Sequence, residues 1–256
     1  MSSSSTFFFL PCLIILYRGA HFDAVAASAF SNLRKFTFCL DKDNEEEADL
    51  EDIRAVLNRN ESTLKHLVLG RCSDFDNSLD LAFESVTISN LTHLDLFSTY
   101  VSGFVLDRIA HARNLQSLTL HGSFPEPEFA SQMFATGSRT FLPHLESFGF
   151  VMEDADEDLY ESVLLFLQKR NKLRRLDLGS CPGDVVEDVV EDVLPHLQNL
   201  RVLAVRIDEP LEEQIESLIE ALPTQMVAIR LSVDLSNKPL VHTSPYLMRL
   251  SDSYAL

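Results

Sequence analysis

One six-residue phrase recurs along most of this chain and constrains its fold more than any other feature. The template Leu-x-x-Leu-x-Leu, with Phe, Val, Ile or Met admitted at the apolar places, begins at Leu33, Leu64, Leu91, Leu115, Leu145, Leu173, Leu200 and Met226. The starts lie 31, 27, 24, 30, 28, 27 and 26 residues apart, a mean of about 28. A period of roughly 20 to 50 residues signals a stack of like supersecondary units rather than ordinary domains.

Alternation of apolar side chains within each phrase reads as a strand, because successive residues of a strand point to opposite faces. Amphipathic stretches lie between the phrases, and their spacing predicts helices over 49–58, 105–112, 129–135, 158–169, 186–197 and 211–222. In 158–169, Leu159, Val163, Leu164, Phe166 and Leu167 recur at helical spacing. In DVVEDVVEDVL an apolar pair returns every four residues from Val185, leaving Glu187, Asp188, Glu191 and Asp192 mostly outside. One such unit cannot bury both its strand leucines and its helix stripe, whereas stacked neighbours share them. The expected architecture is an α/β solenoid of about eight irregular repeats, with a curved parallel sheet on the concave face and helices on the convex face.

The ninth position of each match holds Asp41, Cys72, Thr99, Ser123, Glu153, Cys181, Asp208 or Asp234, all able to hydrogen-bond. The extended pattern resembles leucine-rich repeat proteins, whose template runs Leu-x-x-Leu-x-Leu-x-x-Asn/Cys. Cys72 in LKHLVLGRC and Cys181 in LRRLDLGSC match its cysteine-bearing variant. The variable period and the passage SNLTHLDLFSTYVSGFVLDRIAHARNLQSLTLHGSF further resemble the repeat regions of fungal F-box-like proteins. That resemblance implies the substrate-selecting arm of a cullin-RING ubiquitin ligase. An F-box opens on a Leu-Pro-x-Glu-type phrase, and Leu10-Pro11-Cys12-Leu13 lacks the acidic residue. No F-box is visible, so contact with a ubiquitin-ligase adaptor stays open.

Three segments follow: 1–30, apolar and readable as a degenerate cap, a leader or a truncated F-box region; 31–234, the repeats; and 235–256, a cap or tail. The run from Phe7 to Tyr17 contains Pro11 and is too short to cross a bilayer core of roughly 30 Å as a helix. Followed by Ala24-Val25-Ala26, it alternatively reads as a secretory leader, although no Lys or Arg precedes it. In that case the triplets Asn60-Glu61-Ser62 and Asn90-Leu91-Thr92 are glycan acceptors. The preferred expectation is an intracellular chain, cytoplasmic or nuclear.

Twenty-one Lys and Arg against 39 Asp and Glu give a net charge of −18, which repels nucleic-acid phosphates. Cysteines 12, 39, 72 and 181 form no CxxC pair, which fits a reducing compartment. Phosphate-cradling, zinc-hydrolase and nucleophile-elbow motifs are absent, so no catalytic, cofactor or metal site is predicted.

Positions three, five and seven of each phrase point away from the core, and there the charge balance turns basic. They present Lys35, His66, His93, Asp95, Phe97, His121, Arg175, Asp177, Arg206 and Arg230 as candidate protein-binding residues. Second positions add Arg34, Lys65, Arg174 and Arg201 along a rim, opposed by Glu146, while acids crowd 41–52 and 153–158 on the helical side. Arginine forks suit an acidic or phosphorylated protein segment, with Phe97 as an apolar anchor. The plainer alternative is a solvated sheet whose bases offset the acidic helices. His66, His93 and His121 follow one another at 27 and 28 residues, which suggests a stacked ladder on strands about 4.8 Å apart.

Overall fold

The computed structural model describes residues 12–17, 30–40, 50–70, 78–84, 88–136, 141–152, 155–181, 183–208 and 212–234. The chain alternates strand and helix: β1 (Cys12–Tyr17), β2 (Lys35–Leu40), α1 (Leu50–Asn60), β3 (His66–Gly70), α2 (Ser78–Phe83), β4 (His93–Tyr100), α3 (Gly103–Ala110), β5 (Ser117–Ser123) and α4 (Pro127–Thr136). Then come β6 (Ser147–Met152), α5 (Glu157–Leu167), β7 (Arg175–Cys181), α6 (Gly183–Asp188), β8 (Val202–Asp208), α7 (Glu212–Glu220) and β9 (Ala228–Asp234). The nine strands form one sheet in chain order, every neighbouring pair parallel. This is a leucine-rich repeat solenoid.

One backbone device sets the register. The carbonyl of each second template position accepts two amides from the next repeat: Arg34 O takes Lys65 N and His66 N, both at 2.9 Å. The same fork recurs at Lys65, Thr92, Gln116, Glu146, Arg174 and Arg201. Equal template positions therefore lie side by side, and the apolar ones merge into a continuous core. In the first seven template repeats every apolar position is at most 4% exposed. Ile229 and Leu231 of β9 are only half-buried, because no described unit stacks beyond them.

The sheet begins one strand earlier than the template does. β1 pairs with β2 from Cys12↔Lys35 to Tyr17↔Leu40, so nine strands replace the eight expected repeats. The helix α2 also escapes the periodicity, having only six residues. The stretch expected as one helix over 186–197 is instead α6, a π-helical turn at Val189–Val193 and a 3-10 turn at Leu194–His196. A strict four-residue repeat overshoots the 3.6-residue α-turn, walking the valines about 40° further round at each return. The wider π turn absorbs that drift and keeps Val185, Val189 and Val193 buried, with Glu187, Asp188, Glu191 and Asp192 outside. The acids at the start of α5 cap and charge its N-terminus: Asp156 accepts from Leu159 N at 2.9 Å, with Glu157 and Asp158 in the first turn.

Asparagines tie successive units together where the chain re-enters the sheet. Asn90, Asn114 and Asn199 each precede a template leucine and donate Nδ2 to the preceding unit, to Glu61 O (3.3 Å), Ser89 O (2.8 Å) and Asn171 O (2.7 Å). Asn60 is 1% exposed; its Oδ1 accepts from Leu33 N at 2.9 Å while Nδ2 donates to Val56 O (2.8 Å) and Phe30 O (3.2 Å). The Asn60 nitrogen that a glycan would need is thus buried and committed, which removes the expected acceptor at that triplet. Among the described residues no helix is long and apolar enough to cross a membrane.

Candidate protein-binding surface

The sheet brings all ten sequence-selected residues to its open face, opposite the helices. Third positions form the row Lys35, His66, His93, Ser117, Ser147, Arg175, Val202, Ala228, each paired directly with the next. Fifth positions give Thr37, Val68, Asp95, Thr119, Gly149, Asp177, Ala204, Arg230. The seventh row runs through Cys39, Gly70, Phe97, His121 and Val151. A register shift after Leu178 then sets Ser180, not Gly179, opposite Arg206.

The histidines do not form a ladder of three. His66 and His93, both at third positions, stack with ring centroids 4.0 Å apart and 11° between planes. His121 is a seventh-position residue, four places further along its strand than that row, so its ring meets Phe97 edge-on instead, at 6.1 Å and 79°. Near-equal sequence spacing concealed the difference in template position. Among the described residues no group of three or more His, Cys, Asp or Glu is placed to hold a metal ion.

Burial pulls the His66 pKa below its ordinary 6.5, helped by His93 and Lys35 and opposed by Asp95. The unfolded chain therefore protonates this residue first as pH falls. Its contribution to stability is full above 6.5 and is lost as pH drops through 6.5 towards the lower folded value. His66→Gln is expected to show a flatter dependence of the denaturation midpoint on pH between about 7.5 and 5.5 than the parent chain. Parallel curves for the two proteins would refute that linkage.

Charge is unevenly spread along the face. Arg175, Arg206 and Arg230 stand at the β7–β9 end with Arg174 and Arg201 on the rim, whereas Lys35 stands five strands from Arg175. Arg174 pairs with Glu146 at 3.4 Å, and Lys65 donates Nζ to Asn90 O at 3.1 Å. Among the described residues Arg175 and Arg230 have no carboxylate within salt-bridge distance.

In the middle of the face, small side chains leave a depression of about 260 Å³. Gly149 forms part of its lining, beside Ser117, Thr119 and Ser147, with Asp95 at β4 and Arg175 and Asp177 at β7. Neither Gly149 nor the hydroxyls stood out in the sequence; the signal was the lack of bulk at third and fifth positions of adjacent phrases.

Beside the depression, β4 carries a bulge. Ser98 adopts φ 48°, and the pairing shifts so that Thr99 lies opposite Gly122. The extra residue lets both Phe97 and Tyr100 face outward, 37% and 50% exposed. Thr99 turns inward, and among the described residues its buried Oγ1 has no hydrogen-bond partner. Of the ninth-position residues, Cys181 behaves as the family pattern implies, its thiol donating to Leu178 O at 3.0 Å. Asp41, Cys72 and Glu153 lie outside the described residues. Among the described residues, Cys12, Cys39 and Cys181 form no disulfide.

A scan against protein-family models finds no match to this chain. A search of curated proteins finds none either. Among solved structures, a protein from Bacteroides fragilis is similar at 16% identity and a TM-score of 0.47, over 81% of this chain and 66% of its own. An internalin from Listeria monocytogenes is similar at 17% identity and a TM-score of 0.40, over 90% of this chain and 71% of its own.

Proposed function

We propose that this chain is a non-enzymatic protein-interaction module whose open sheet face binds an acidic or phosphorylated segment of a protein partner. The observation that carries this reading is the segregation of charge: on a chain of net charge −18, the face presents Lys35, Arg175, Arg206 and Arg230 against Asp95 and Asp177. A guanidinium fork holds a carboxylate or phosphate through two parallel hydrogen bonds. Phe97, Tyr100 and His121 add an aromatic anchor of the kind that dominates interface energies.

A finer reading, supported by the resemblance of the repeats, makes the chain the substrate-recognition arm of an F-box-type ubiquitin ligase, or a remnant lacking the F-box, acting inside the cell. Affinity purification from the native cell, with the parent chain and the Arg175→Glu, Arg206→Glu, Arg230→Glu triple variant, tests both levels. Partners of the parent chain should be lost from the variant by at least about tenfold, the scale of a buried charge reversal. Equal recovery by both proteins would eliminate the face as a binding surface. Ligase subunits among the partners would support the finer reading, and their consistent absence would remove it.

A further inference from the structure

The depression at the centre of the face has the chemistry of a subsite for one particular kind of side chain. Its opposite ends carry Asp95 and Asp177, both at fifth positions and three strands apart. Neither carboxylate has a base within salt-bridge distance among the described residues. The Ser117, Thr119 and Ser147 side chains between them make no hydrogen bond to any described residue. The space exists because position 149 has no side chain: a Cβ there would lie 2.9 Å from Thr119 Cγ2.

We propose that this depression seats one basic side chain, lysine or arginine, of the segment bound on the face, an inference that rests on the reading above and adds the anchor fixing the segment's register. A volume of about 260 Å³ holds an extended lysine or arginine side chain. Its ammonium or guanidinium gains the carboxylate at one end of the depression, Asp95 or Asp177, with hydroxyl acceptors beside it; Asp177 Oδ1 also accepts from Gly179 N at 3.3 Å. An apolar side chain would strip those hydroxyls of water without replacing it. A phosphate or carboxylate would meet Asp95 and Asp177 as like charges. Arg175 on the same wall disfavours a lone cation and favours one accompanied by an anion, so the preferred occupant is a basic residue beside acidic ones.

The test is a titration of the isotope-labelled full chain, followed by the backbone amide resonances. The probes are N-acetyl-arginine amide and, for comparison, N-acetyl-aspartate amide. The arginine probe should shift the Ser147, Gly149 and Asp177 amides, and the aspartate probe should leave them in place. In the Asp95→Asn, Asp177→Asn variant the arginine response should weaken at least about fivefold, as for a lost charge-assisted contact, with the denaturation midpoint unchanged. Absence of the shift, an equal shift in the variant, or an equal response to the aspartate probe overturns the proposal. These probes do not call on Arg206 or Arg230, so failure here leaves the acidic-segment reading standing. That reading fails instead if the triple arginine variant retains its partners.

Discussion

Phe134→Ala is expected to cost about 3–5 kcal/mol, the range for removing a fully buried phenylalanine whose site cannot collapse. Phe134 is 0% exposed on α4, and its ring meets those of Phe141 (5.7 Å), Phe148 (6.2 Å), Phe150 (6.1 Å) and Phe166 (5.4 Å). Most of these contacts are edge-to-face, the arrangement aromatic quadrupoles favour. The four partners come from β6, α5 and the connection before β6, so no single movement fills the gap. Arg170 closes the cluster from outside, with its guanidinium 4.2 Å from the Phe166 ring centroid and Nη2 donating to Phe141 O at 2.6 Å. Burial lowers the Arg170 pKa to about 10, so the group stays charged at neutral pH.

Each unit of a solenoid is stabilised mainly by its neighbours, so the damage should not stay local. Denaturant unfolding followed by circular dichroism should show a lower midpoint and a broader transition, as the units on either side of α4 uncouple. Leu165→Ala on α5, where the side chain is 39% exposed, serves as the control and should change stability by less than about 1 kcal/mol. A Phe134 variant no less stable than that control would show that the aromatic cluster is not the keystone of the middle repeats. Because β6 also supplies Ser147 and Gly149, the same lesion should blur the depression on the open face.

The strand phrases were legible because side-chain alternation and stacking act on every unit alike, so the physics repeats with the sequence. What the sequence concealed is what happens once. In β1 the alternation of Leu13 with its neighbours is masked by the run Phe7 to Leu10, which is apolar at every place. Asn60 reads as a surface acceptor from its triplet, yet the amide of Leu33, 27 residues earlier, has no other use for its hydrogen. The open-face residues were identifiable by counting places within each phrase. How they group was not, since His121 differs from His66 and His93 by template row and not by spacing. The bulge at Ser98 carried no glycine to announce it; the compensating glycine sits in the neighbouring strand.

That compensating glycine supports the second large effect: Gly122→Ala should destabilise the chain by about 2–5 kcal/mol, summing backbone strain and overpacking. Gly122 has φ 151°, a region that side chains rarely tolerate. A methyl group there would land on the carbonyl oxygen of Thr99 and 2.6 Å from its amide nitrogen. Both atoms are backbone, locked into β4, and cannot rotate aside. Gly149→Ala is the informative contrast, because its Cβ would meet a side chain, Thr119, which can turn away. It should cost distinctly less. Relief at position 122 requires β4 to part from β5 beyond Phe97, which undoes the bulge and withdraws Tyr100 from the face. Hydrogen exchange at residues 97–100 should therefore accelerate in Gly122→Ala and stay near the parent rate in Gly149→Ala. A Gly122→Ala protein with parental stability and unaltered exchange would mean that β4 and β5 do not approach this closely, and the outward pairing of Phe97 with Tyr100 would lose its structural cause.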